Sequence, residues 1–211
     1  MRVSTCCVLL GAAVYGAPVL AQTMSSEAGY VELSAGEEIA LARSAGPDEI
    51  SAQATIWRLQ SHEYVVAQKG SNGNHCFVMR SMPQSLEPIC YDAEAAATVL
   101  PWEFEFFRLR MEGKSPEEVD LALATALGSG ELQAPSRPAM SYMLSSGQRL
   151  FDPESGRSAG NWKPHLMLYV PYLTIEDVGL TQPTPSMFVF KSGTPMAHLI
   201  IVVPDFVDPK M

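Results

Sequence analysis

Ser115-Pro-Glu-Glu-Val-Asp-Leu-Ala-Leu-Ala-Thr-Ala-Leu-Gly-Ser-Gly130 is the stretch whose reading decides the fold class. Ser115 is a helix cap, Pro116 carries the fixed φ of a first helical position, and Glu118 completes a capping box. Val119, Leu121, Leu123 and Leu127 continue the apolar pattern until Gly128-Ser129-Gly130 stops it. A helix therefore stands in the middle of a chain whose flanks read as β. Upstream, Thr55 to Leu59 and Tyr64 to Ala67 are β-rich and separated by Ser61-His62-Glu63, a hairpin signature. Gly70-Ser71-Asn72-Gly73-Asn74 is a dense turn before Cys76 to Arg80, and Pro88 to Tyr91 is a fourth short strand. Downstream, the strand segments are Ser141 to Ser145, His165 to Leu173, Met187 to Phe190 and His198 to Val203.

Two more helices are expected. Pro101 suits a first helical position before Trp102 to Met111. Ser34 with Glu37 has capping-box spacing, and that surface helix ends near Gly46-Pro47. Strands, helices, then strands is an α+β order rather than βαβ alternation. The expectation is a mostly antiparallel sheet with two central helices packed on one side. Near-continuous apolarity from His165 to Val170, and from Leu199 to Val203, predicts strands covered on both faces, with Pro171 ending or bulging the first.

The N-terminus reads as a cleavable secretory signal peptide over residues 1–21. Arg2 supplies the positive charge, Cys6 to Val14 the apolar core, Pro18 the break, and Val19-Leu20-Ala21 a small-x-small cleavage site. Gly16, Pro18 and Gln22 interrupt the apolar run too early for a membrane span. Residues 22–33 read as a flexible tail and 34–211 as a single α+β domain. Export to the periplasm or the extracellular medium follows, with no membrane span after cleavage.

The formal charge is −9, and loss of Arg2 with the leader makes it more negative still. An acidic surface repels phosphate backbones, so nucleic acid is not an expected partner. Cleavage removes Cys6 and Cys7. Cys76 and Cys90 remain in a chain bound for an oxidising compartment, which predicts a disulfide between them.

Glu87-Pro-Ile-Cys-Tyr-Asp92 and Pro164-His-Leu-Met-Leu-Tyr-Val-Pro-Tyr-Leu173 resemble segments of an uncharacterised group of small exported bacterial proteins. The resemblance implies no known activity, cofactor or catalytic residue.

No Walker A, G-x-G-x-x-G, H-E-x-x-H or G-x-S-x-G motif occurs. Three chemistries compete for the remaining polar residues. His165-x-Met167 and Met196-x-His198 each place an imidazole and a thioether on one strand face, a soft ligand set that suits copper if the strands are neighbours. Against it, methionine fills irregular cores and the chain has 11 of them. Ser145 or Ser146 at a strand-to-loop turn, with His165 or His198 as base and Asp92, Asp152 or Glu154 orienting it, is the outline of a hydrolase without an elbow motif. A turn built from Ser-Ser-Gly explains the same residues. Glu103 and Glu105 lie two apart on an expected helix and do not face one another. Binding without chemistry is the third class. Trp57, Trp102, Trp162, Tyr169 and Tyr172 supply aromatic surface, and Asn161 to His165 is a polar, aromatic loop entering a core strand, with Trp162, His165 and Tyr169 as candidate ligand contacts. The reading adopted is an exported binding or accessory protein for a small molecule or a protein of the cell envelope, with hydrolase and copper-binding protein as alternatives. No cofactor is expected.

Overall fold

The computed structural model describes residues 29–152, 155 and 157–210 of the 211-residue chain. The leader assigned above, and Glu154, lie outside the described residues. The order of elements is α1 (Ala35–Arg43), α2 (Asp48–Ser51), β1 (Thr55–Gln60), β2 (Glu63–Gln68), β3 (His75–Met79), β4 (Glu87–Tyr91), α3 (Ala93–Met111), α4 (Pro116–Ser129), β5 (Ala139–Met143), β6 (Leu150–Phe151), β7 (Ser158–Gly160), β8 (His165–Tyr169), β9 (Met187–Phe190) and β10 (His198–Val202). The fold mixes helices with a mostly antiparallel sheet and carries one disulfide, Cys76–Cys90.

Eight strands form the main sheet in the order β2-β1-β3-β4-β5-β8-β10-β9, and β6 with β7 makes a separate ribbon. Among the described strands only the β1–β3 pair is parallel. Cys76 and Cys90 face each other directly across β3 and β4. β8 lies between β5 and β10 and ends at Tyr169, before Pro171.

Helix starts follow the local chemistry. The Ser115 hydroxyl accepts from Glu118 N at 3.2 Å, while Glu118 Oε2 accepts from Ser115 N at 2.9 Å. Gly130, at φ 80°, closes α4 in the left-handed region where glycine has no Cβ penalty. Ser34 and Glu37 make the same reciprocal cap on α1. Helix α3 corrects the expectation. It begins at Ala93 rather than at Pro101, because Asp92 caps it by accepting from Ala95 N at 2.8 Å. Pro101 therefore sits inside the helix, where the bond it cannot donate is lost but the packing on both sides holds the helix together.

The placement of the helices differs from two packed on one side. Helix α3 alone lies against the sheet there, touching β3, β4 and β5, and α4 packs onto α3. On the opposite face α1 covers β1, β3 and β4. Two apolar clusters result. Leu41, Ala42, Ile56, Val78 and the disulfide lie under α1, and Phe77, Ile89, Tyr91, Val99, Val119 and Met167 lie on the α3 side. The end of the expected tail is also tied down. Val31 N donates to Pro83 O at 2.9 Å, and Tyr30 packs edge-on against Phe107. Beneath it the Arg80 guanidinium makes two bonds to Glu38, at 2.9 and 2.7 Å, with both side chains fully buried.

Candidate functional site

Helix α3 is too narrow to cover eight strands. Alternation puts Met143 of β5, His165, Met167 and Tyr169 of β8, His198, Ile200 and Val202 of β10, and Phe188 and Phe190 of β9 on the same face as α3. The helix makes its main contacts with the β3–β5 half of that face, and His165, Met167, Tyr169 and His198 beyond it are buried without an extensive helix contact of their own. Strands β8, β10 and β9, with Glu87 and Ile89 of β4, line a cavity of about 620 Å³ whose wall includes Val99, Trp102, Glu103 and Phe106 of α3. Trp162 and Lys163 stand at its end nearest His165. A second hollow of about 450 Å³ lies between α4 and the loop before β10, and shares Trp102, Asp120, Lys191 and Met196 with the first.

Few polar groups reach into this apolar space. The Nδ1 of His165 lies 2.7 Å from Lys163 O, and that of His198 lies 3.0 Å from Met196 O. A carbonyl only accepts, so each ring proton belongs on Nδ1 and each Nε2 keeps its lone pair. Burial lowers both imidazoles, His198 to about 4, so both rings are neutral at neutral pH. Glu103 faces Tyr91, whose hydroxyl donates to Oε1 at 3.4 Å. Desolvation pushes its carboxyl up to about 7, against the opposing pull of Lys191. Burial likewise raises Tyr91, Tyr169 and Glu87, and Glu87 accepts from the Ser81 hydroxyl. Lys191 Nζ lies 4.0 Å above the Trp102 ring, and desolvation lowers its pKa.

Comparison with known proteins adds no relative. The chain matches no protein-family model, no curated protein and no solved structure. What the site does must be read from its own chemistry.

The two His/Met pairs do line one cavity, as neighbouring strands require. Register keeps their imidazoles apart. His198 pairs with Tyr169 and His165 with Val202, four residues further along β8, a separation of about 13 Å at strand rise. Met167 and Ile200 stand between them, and each ring is pinned by its own backbone bond. Among the described residues no three His, Cys, Asp or Glu gather as metal ligands. The hydrolase constellation is not assembled. Ser145 is buried near the end of α1, where its hydroxyl lies 2.6 Å from that of Ser44 and accepts from Gly147 N. Ser146 donates to Asp208. Asp92 caps α3 with one oxygen and accepts from Met140 N with the other, at 2.9 Å, so neither is left to orient a histidine. Trp162, His165 and Tyr169 all line the cavity. Trp57 does not; it packs against Phe104 under α3.

Glu103 and Lys191 are among the polar lining residues that sequence reasoning missed, with Glu87 and Asp120. Glu103 lay within an expected helix, but nothing in its spacing reveals that it faces a tyrosine of β4. Lys191 follows Phe188 and Phe190, and simple alternation would point it away from the cavity. Its φ of 50° breaks that alternation at the end of β9.

Proposed function

We propose that this chain is an exported binding protein that holds a predominantly apolar small molecule over β8, β10 and β9. The observation that carries this reading is the cavity between α3 and the strands β8, β10 and β9. A floor and wall of aromatic, methionine and branched side chains enclose about 620 Å³, with a small number of polar groups at set positions. Size and composition match those of small-molecule sites, which run to roughly 300–1,000 Å³ with a mostly apolar lining. Export is supported by the leader in the sequence and by the disulfide, which persists in oxidising compartments. Among the described residues no helix is long and apolar enough to cross a membrane.

The test is binding of a hydrophobic fluorophore such as Nile red to the purified, disulfide-bonded protein. One-to-one binding is expected. Ile200→Trp, which fills the centre of the floor, should weaken it by about tenfold or more without loss of the folded spectrum. Binding that is absent, or that Ile200→Trp leaves unchanged, refutes the reading.

A further inference from the structure

Lys191 is an ammonium on the cavity lining that makes no direct ion pair among the described residues, although Glu103 and Asp120 act on it from a longer range. Among the described residues no carboxylate lies within 4.0 Å of its Nζ, and it donates no hydrogen bond; its only close partner is the face of Trp102. The position is built. Lys191 adopts φ 50°, a conformation most residues avoid, and its carbonyl accepts from Thr194 N at 3.1 Å and Thr194 Oγ1 at 2.6 Å, which fixes the turn. The reversed backbone swings the side chain from the outer face toward Trp102, where it borders both hollows. A ring face stabilises a cation less than an anion does, and a partly desolvated ammonium gains most from a group that carries full negative charge.

We infer that the cavity takes an amphiphile with a single anionic head, a monocarboxylate, whose head pairs with Lys191 and whose apolar body lies along β10 and β8 toward Trp162. This rests on the cavity being a binding site, as proposed above. Three groups from other elements face Lys191: Glu103 from α3, Asp120 from α4 and His198 from β10. Glu103 and Asp120 both oppose added negative charge at this point, so a head that brings one charge to a direct pair with Lys191 is favoured over the two charges of a phosphate monoester. Glu103 retains its proton through much of the neutral range and tolerates a neighbouring anion. His165, at the far end, offers a lone pair to any donor carried by the tail.

The experiment compares dodecanoate, dodecanol and dodecylamine, three ligands with one tail and different heads, by displacement of Nile red at about pH 6, where the ligand's carboxylate is ionised and Glu103 still holds its proton. Wild-type protein should prefer dodecanoate over dodecanol by about tenfold or more. Lys191→Met keeps the stem over Trp102 and should abolish that preference while dodecanol binds as before. Lys191→Arg should retain most of it. Equal binding of acid and alcohol by wild-type, preference for the amine, or a preference that survives Lys191→Met each overturns the head-group assignment and leaves the binding cavity standing. Failure of all three ligands and of the dye overturns the binding reading itself, and this inference with it.

Discussion

Replacing Glu103 by glutamine should make the protein more stable at high pH and change nothing at low pH. The carboxyl is pushed from 4.5 to about 7 by desolvation in the cavity wall. Below 4.5 both folded and unfolded chains carry the proton, and folding bears no penalty. As pH rises toward 7 the unfolded chain ionises while the folded one does not, so stability falls, and above 7 the loss is complete. A displacement of roughly 2.5 units corresponds to at most about 3 kcal/mol. His198 acts in the opposite sense. Its folded value of about 4 lies below the ordinary 6.5, so its contribution is whole above 6.5 and is lost as pH falls toward 4. Between 4.5 and 6.5 the two slopes oppose one another and cancel in large part in the wild-type protein. Glutamine keeps an acceptor for Tyr91 and removes only the Glu103 slope. Urea unfolding at intervals from about pH 4.5 to 8 should show variant minus wild-type stability rising from near zero to about 2–3 kcal/mol. Slopes from every other group cancel in that difference. A difference that is flat with pH refutes desolvation of the Glu103 carboxyl where it faces Tyr91 on the cavity wall.

Two further outcomes concern the frame around the site. Arg80→Met leaves the Glu38 carboxylate buried without its partner and should cost about 3–5 kcal/mol in urea unfolding, whereas the double variant Glu38→Leu with Arg80→Met should recover much of that loss. Replacing Cys76 and Cys90 by alanine opens a loop of 14 residues' separation and should cost about 3 kcal/mol, read as a lower urea midpoint; two free thiols in the native wild-type protein would remove its basis.

The eight strands of the main sheet and the capped starts of α1 and α4 are legible in the sequence because each depends on near neighbours. The disulfide is legible because two cysteines remain after the expected leader, and the short β6–β7 ribbon is not legible. Capping needs a serine and a glutamate three apart, and the β1–β2 hairpin needs two alternating runs around Ser61-His62. The start of α3 was misread for a local reason. Pro101 is as good a first position as Pro116, and the competing signal, Asp92 before a run of alanines, was passed over. The site was legible only in halves. Period two places His165 with Met167 and Met196 with His198, but the register that holds the imidazoles about 13 Å apart is a property of two strands together. Glu103 and Lys191 stayed hidden because their roles come from a helix lying across half a sheet and from one reversed φ. Neither has a sequence period.

The disulfide and both helices that touch the sheet act on β1 to β5. The remaining strands join that half through the β5–β8 pairing and again through the C-terminal segment, where Val207 bridges to Ser145 and Lys210 pairs with Asp48. If the cavity is occupied as proposed, a guest against β8, β10 and β9 would bind the folded chain alone, so occupancy would read out as a higher urea midpoint and folding and binding would share one equilibrium.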